Sequence, residues 1–178
     1  INLERLLPRS GENGINEPVH ETRDSLSNNH LISLDEVMGK EYTDYEDPDP
    51  FAIFISDFLY ELYNSNITVE QYATFLKNHG SFELIKDLDF EENLDTVHDI
   101  LQTIISNIEQ ANTEFIDHET SVVEIDDNRG NFFRKMTTKD GKDILYKTSI
   151  VYENGMWKFL DDQTNPHIDI NEFQTIDN

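Results

Sequence analysis

The spacing of apolar residues changes near Asn112, from the period of an amphipathic helix to the period of a β-strand. The last helical segment before this point carries Leu94, Val97, Leu101, Ile104, Ile105 and Ile108. Beyond it, alternating runs are separated by Asp140-Gly141 and Asn154-Gly155, which favour two-residue hairpins because a type I′ turn needs positive φ at both positions. This order predicts an α+β fold, with helices packed on one face of a curved antiparallel β-meander.

Apolar spacing and capping patterns predict where the helices and strands lie. Three helices are predicted, over residues 51–62, from Thr68 to about Gly80, and over residues 94–108. A short helix over residues 34–38 is also expected. Four strands are predicted, with a short fifth one ahead of them at residues 115–118. The four cover residues 122–125, 132–137, 144–152 and 156–160.

The length of 178 residues fits one domain. We expect an extended acidic arm and linker over residues 1–50, an α+β globular domain over 51–161, and an acidic C-terminal tail over 162–178. The absence of cysteine excludes disulfides, thiol catalysis and cysteine-based zinc sites. No stretch approaches the ~18 apolar residues of a membrane span. The sequence therefore predicts a soluble protein, and it leaves open the cytoplasm or secretion after removal of a signal peptide.

The net charge of −24 narrows the range of partners. Nucleic acids and anionic membranes are disfavoured, because binding phosphates requires clustered Lys and Arg. The charge is also unevenly distributed, since residues 129–158 contain seven basic and three acidic residues. The acidity therefore belongs to the linker, the helical half and the tail, which surround a weakly basic sheet. A basic protein is the partner that this distribution favours, and the oligomeric state stays open.

Two acidic clusters are the candidate partner-binding residues. The first comprises Glu41, Asp44, Glu46, Asp47 and Asp49, and the second comprises Asp87, Asp89, Glu91 and Glu92. Rows of carboxylates can steer a basic partner or imitate the phosphates of DNA. They can equally be a solvated linker and a solvated helix entry. Aromatic residues such as Tyr45 and Phe82 lie among them and could anchor an interface or pin the chain to the core.

The final hairpin carries a short recognisable pattern, in which Gly155, Trp157 and Lys158 form Gly-x-Trp-Lys. With the order of elements over residues 51–161, it resembles the nuclear-transport-factor-like (cystatin-like α+β) superfamily. The resemblance implies a cone-shaped sheet with Trp157 packed inside, and replacement of this side chain by Ala should then cost about 3–5 kcal/mol. Members usually have a strand pair between the second and third helices, which residues 81–93 do not suggest. The superfamily includes enzymes, transport factors and accessory domains, so it does not define an activity.

Candidates for acid–base chemistry are His98, Asp99, Asp117 and His118, because a cone interior would need such groups. No spacing connects them, and a histidine beside an apolar helix stripe is more often a core or flanking residue. Phosphate-loop, Gly-x-Ser-x-Gly and His-Glu-x-x-His motifs are absent from the sequence. No catalytic residue is therefore assigned.

A partial EF-hand pattern begins at Asp161 and is the one candidate metal site. Its oxygen donors at loop positions 1, 5, 9 and 12 are Asp161, Asn165, Asp169 and Glu172. Pro166 replaces the glycine of the sharp turn, and a strand precedes the loop where an EF-hand has a helix. Calcium is the only cofactor this pattern allows, and the alternative is an acidic tail.

These observations favour a non-enzymatic acidic binding or accessory protein. It would engage a basic protein partner, as an immunity- or inhibitor-type protein or as a component of an assembly. One alternative is a small enzyme that uses a cone-shaped α+β pocket. A second alternative is a DNA-mimic antagonist of a nucleic-acid-binding protein.

Overall fold

The computed structural model describes residues 33–40, 43–90, 92–164 and 175–176. The helices are α1 (Leu34–Gly39), α2 (Pro48–Tyr63), α3 (Val69–His79), α4 (Phe82–Leu88) and α5 (Leu94–Ala111). The strands are β1 (Phe115–Thr120), β2 (Glu124–Asp126), β3 (Arg129–Thr138), β4 (Asp143–Glu153) and β5 (Met156–Thr164). The predicted α+β class is confirmed, while membership of the nuclear-transport-factor-like superfamily stays a prediction.

Helices α1, α3 and α4 begin at residues whose side chains cap the first turn. In α3, the Thr68 hydroxyl accepts from the Gln71 backbone while the Gln71 side chain accepts from the Thr68 backbone, which is the predicted capping box. Helix α2 begins at Pro48, three residues earlier than predicted. The first turn of a helix tolerates proline because its N–H groups have no partner within the helix. The two prolines that were read as part of the linker therefore belong to the helix.

Helix α4 was not predicted. The Ser81 hydroxyl accepts a hydrogen bond from Leu84 N at 3.2 Å, and Asp89 ends the helix in the left-handed conformation with φ 55°. Leu84 and Leu88, one turn apart, are buried and anchor the helix to the core. The helix occupies the interval in which the superfamily usually has a strand pair.

The sheet is antiparallel, with the strand order β1-β3-β4-β5 and β2 paired with the first residues of β3. Asn154 and Gly155 have φ of 52° and 84°, as the predicted two-residue type I′ turn requires. At Asp140-Gly141 the glycine alone has positive φ (83°), and the connection between β3 and β4 spans residues 139–142, so this hairpin is longer than predicted. A further turn at Asp127-Asn128 joins β2 to β3 and was not predicted. The segment predicted as a strand over residues 122–125 starts later, because Val123 N donates to the Asp49 carboxylate at 3.1 Å.

The core lies between the helices and one face of the sheet. Aromatic residues of α2 and α3 meet there, and the rings of Phe58 and Phe75 are stacked with their centroids 4.0 Å apart. The facing sheet residues include Phe132 and Phe159, both buried. Trp157 is also buried in this core, as the Gly-x-Trp-Lys resemblance implied.

A β-bulge in β5 sets which of its acidic residues faces the core. Phe159 pairs with Ile150, whereas the next pairs are Asp161 with Ser149 and Asp162 with Thr148. Leu160 is therefore the extra residue, and the alternation of side chains shifts by one position beyond it. As a result Asp162, rather than Asp161, points to the inner face.

Candidate functional site

A polar cluster is buried on the inner face of the sheet, around Arg134 of β3. Arg134 is 0% exposed and its Nη2 donates to Asp162 Oδ2 at 2.7 Å. The Tyr63 hydroxyl donates to the same oxygen at 2.7 Å, and the Thr148 hydroxyl donates to Asp162 Oδ1 at 2.7 Å. The guanidinium lies over the Tyr146 ring, 4.8 Å from its centroid. The charge pair is thus enclosed by hydroxyl donors and aromatic rings.

The pKa values of this cluster follow from its burial. Desolvation raises the pKa of Tyr63 well above its ordinary value, and the nearby Asp162 carboxylate raises it further. Burial alone would lower the pKa of Arg134, but the charge of the Asp162 carboxylate beside it opposes this and the net shift is upward. The cluster therefore holds a permanent guanidinium cation beside a neutral phenol.

The first acidic cluster lies against the domain instead of extending away from it. Tyr45 O accepts a hydrogen bond from Trp157 N at 2.8 Å, and the Tyr45 ring lies 5.2 Å from Phe51 and 5.3 Å from Phe54. Burial is the main reason why the pKa of Tyr45 rises to about 12. Tyr45 therefore holds the chain in place between Asp44 and Glu46.

Within this cluster the carboxylates have different surroundings. Asp44, Glu46 and Asp47 are exposed, and we call these three residues the acidic linker. Asp49 is half-buried, and its hydrogen bond to Val123 N fastens the start of α2 to the segment before β2. Asp49 thus has a structural role, and Glu41 lies outside the described residues.

The second acidic cluster surrounds the turn between α4 and α5. Asp87 and Glu92 are exposed, whereas Asp89 is half-buried and accepts a hydrogen bond from the Asn93 side chain. Glu91 lies outside the part of the chain that the structure describes. Two of the four predicted carboxylates are thus available to a partner, and Asp89 contributes to the turn instead.

Five of the seven basic residues of segment 129–158 form ion pairs with acidic residues outside both clusters. The pairs are Arg129–Glu83 (4.0 Å), Arg134–Asp162 (2.7 Å), Lys135–Glu119 (2.8 Å), Lys139–Glu114 (2.8 Å) and Lys142–Asp140 (3.5 Å). Among the described residues, no ion pair reaches the acidic linker, Asp87 or Glu92. Most of the basic charge of residues 129–158 is therefore matched outside the two clusters, and Lys158 Nζ donates to Asn78 O at 2.7 Å instead of to a carboxylate.

The four acid–base candidates divide between two elements. His98 and Asp99 lie on α5, while Asp117 and His118 lie on β1. His118 Nε2 is 3.2 Å from an oxygen of Asp57 on α2, with both side chains largely buried. This His–Asp contact joins β1 to α2. No local pattern indicated a role for Asp57, which interrupts the apolar face of α2.

The metal candidate is only partly described. Asp161 lies within strand β5 and pairs with Ser149. Asn165, Asp169 and Glu172 lie outside the described residues. Across residues 33–40, 43–90, 92–164 and 175–176, no group of three His, Asp or Glu side chains is arranged to hold a metal ion.

Comparison with known proteins does not add an identity. No family model, curated protein or solved structure matches this chain. Among the described residues, none of the helices is long and apolar enough to cross a membrane.

Proposed function

We propose that this chain is a non-enzymatic accessory protein that binds a basic protein partner through its acidic linker. The observation that carries this proposal is the pattern of ion pairs. Five basic side chains of the sheet pair with acids outside the two clusters, while Asp44, Glu46 and Asp47 are exposed and form no ion pair with the other described residues. Charge that is not neutralised within the molecule is available to another one.

Such a surface acts mainly on the rate and specificity of association. Exposed carboxylates attract a cationic partner over about a Debye length, roughly 8 Å at physiological salt. They accelerate encounter and disfavour anionic competitors. An immunity- or inhibitor-type protein, or an acidic component of an assembly, would use charge in this way. The linker is suited to it because Tyr45 fixes its position, so little conformational entropy is lost on binding.

The interior supports binding over catalysis. Arg134 and Asp162 are 0% and 8% exposed, and their polar atoms bond to one another and to Tyr63 and Thr148. A catalytic group must reach a substrate, whereas these groups satisfy each other within the core. We therefore prefer the accessory function to a small enzyme that uses the cone interior.

The proposal is tested with two variants that remove equal charge from different places. The linker variant is Asp44→Asn with Glu46→Gln, and the control is Asp99→Asn with Glu109→Gln on α5. All four residues are exposed, so neither variant should change the fold. The full chain is immobilised, proteins of a native extract are captured at low salt and eluted by a salt gradient, and the affinity of each purified candidate is measured.

We expect the linker variant to weaken binding of the partner by about three- to tenfold and the control variant to leave it nearly unchanged. The affinity of the native chain should fall steeply as salt rises. An affinity that does not depend on salt, or equal losses in the two variants, would contradict the proposal. If the captured protein is displaced by double-stranded DNA, the DNA-mimic alternative gains support instead.

A further inference from the structure

Three parts of the chain meet at one end of the sheet. They are the turn at Asp127-Asn128, the turn at Asn154-Gly155 and the first turn of α4. Tyr152 N donates to Asn128 O at 2.7 Å, which joins the two turns. Phe82 N donates to the Glu153 carboxylate at 2.9 Å, which brings α4 to the same place. We call this region the hairpin end.

Large apolar side chains are exposed at the hairpin end. Phe82 is 73% exposed, Ile125 is 54% exposed and Tyr152 is 41% exposed. Ile125 lies opposite Gly130 in the sheet, and a side chain at Gly130 would come within 2.9 Å of Val123. The residue directly opposite Ile125 therefore has no side chain for a cross-strand contact. Apolar groups that the fold leaves uncovered in one place favour contact with another molecule.

The surroundings of these side chains are acidic. The acids at the hairpin end are Glu83, Glu124, Asp126, Asp127 and Glu153. Two cations lie near these acids: the Arg129 guanidinium pairs with Glu83 at 4.0 Å, and Lys158 Nζ donates to Asn78 O at 2.7 Å. The acidic linker reaches the same end, because Tyr45 O bonds to Trp157 N and Asp49 bonds to Val123 N. Linker and hairpins thus place their carboxylates at the same end of the sheet as the three exposed apolar side chains, and we call these carboxylates the acidic rim.

We infer that the hairpin end is a docking surface for a basic amphipathic segment of the partner protein. Apolar side chains of that segment would contact Phe82, Ile125 and Tyr152, and its Lys and Arg residues would face the acidic rim. This inference rests on the proposed function and specifies its partner. Charge complementarity argues against a second copy of the chain, since each copy carries a net charge of −24.

Two synthetic peptides of equal length and charge serve as probes. The first is an amphipathic Lys/Leu peptide, and the second is a Lys/Ser peptide that lacks the apolar face. They are titrated against the full chain and against Phe82→Ser and Ile125→Thr. Ile116→Thr is the matched control, because Ile116 is 48% exposed on β1 beside the opposite end of the sheet. Near-ultraviolet circular dichroism and urea midpoints confirm that each variant is folded.

We expect the Lys/Leu peptide to bind at least about tenfold more tightly than the Lys/Ser peptide. The substitutions Phe82→Ser and Ile125→Thr should each weaken binding of the Lys/Leu peptide and remove most of this difference. They should leave the affinity for the Lys/Ser peptide unchanged. The control Ile116→Thr should leave the affinities for both peptides unchanged. If the two peptides bind equally and with strong salt dependence, the docking surface is refuted while the proposed function stands. If neither peptide binds at low salt, the docking surface and the proposed function are both contradicted.

Self-association is measured in the same samples by sedimentation. A dimer of the native chain that Ile125→Thr dissociates would assign the hairpin end to a second copy and refute the inference. A monomer at every salt concentration would support it.

Discussion

Replacing Asp162 by Asn should destabilise the protein through the buried charge that it leaves behind. The two side chains have nearly the same shape, so the substitution creates no cavity. It removes the negative charge 2.7 Å from Arg134 Nη2. It also places an amide in front of the Tyr63 and Thr148 hydroxyls, which both donate to the carboxylate. Arg134 cannot lose its proton, so a cation stays buried without a counter-charge.

The expected loss in the free energy of unfolding is about 3–5 kcal/mol, the usual result of removing one member of a buried ion pair. Removing the other member of the pair by Arg134→Met should lower the free energy of unfolding by less, about 1–3 kcal/mol. In that variant Asp162 keeps two hydroxyl donors at 2.7 Å and can also take up a proton. The double variant should be more stable than Asp162→Asn alone, because it removes the isolated cation.

Urea denaturation followed by far-ultraviolet circular dichroism gives the free energy of unfolding of the native chain, the two single variants and the double variant. These four values complete a double-mutant cycle. A loss below about 1 kcal/mol in Asp162→Asn would refute the reasoning, because it would mean that the cation is hydrated. A double variant less stable than Asp162→Asn would refute it as well.

The core supports two further predictions. Trp157→Ala should lower the free energy of unfolding by about 3–5 kcal/mol because the indole is buried, and a loss under about 1 kcal/mol would show that its neighbours refill the space. Desolvation raises the pKa of Tyr63, Tyr72 and Tyr146 above the ordinary 10.0, so the unfolded chain loses phenolic protons first. Stability should therefore be retained below pH about 10 and fall above it, and equal urea midpoints at pH about 8 and about 10.5 would contradict this.

The sequence predicted those elements whose signals are local. The period of α5 and the turn at Asn154-Gly155 each involve neighbouring residues, and both are confirmed. Asp140-Gly141 lies in a turn as predicted, but the connection is longer than two residues. Helix α4 was missed because it has seven residues and only two buried apolar anchors, too few to show a period. The turn at Asp127-Asn128 was missed because it lacks the Asn-Gly or Asp-Gly pattern of the other two.

The candidate site was predicted only as a list of carboxylates. The sequence does not show that the acidic linker lies at the hairpin end, because this depends on the hydrogen bond between Tyr45 and Trp157 in distant parts of the chain. The partners Arg134 and Asp162 are also far apart in sequence, and Asp162 was assigned to the acidic tail. Contacts of this kind depend on strand register, which local patterns do not determine.

The bulge at Leu160 has a consequence for how this chain tolerates deletions and shifts of register. Without Leu160, Asp161 would still pair with Ser149 and Asp162 with Thr148, so a deletion there would make the pairing regular and leave Asp162 on the inner face. Closing the bulge at unchanged chain length would instead bring Asp161 opposite Thr148 and turn Asp162 outward. Arg134 would then lose its counter-charge although neither residue of the pair had been substituted. A register shift beyond Phe159 should therefore be more damaging than the loss of Leu160 itself.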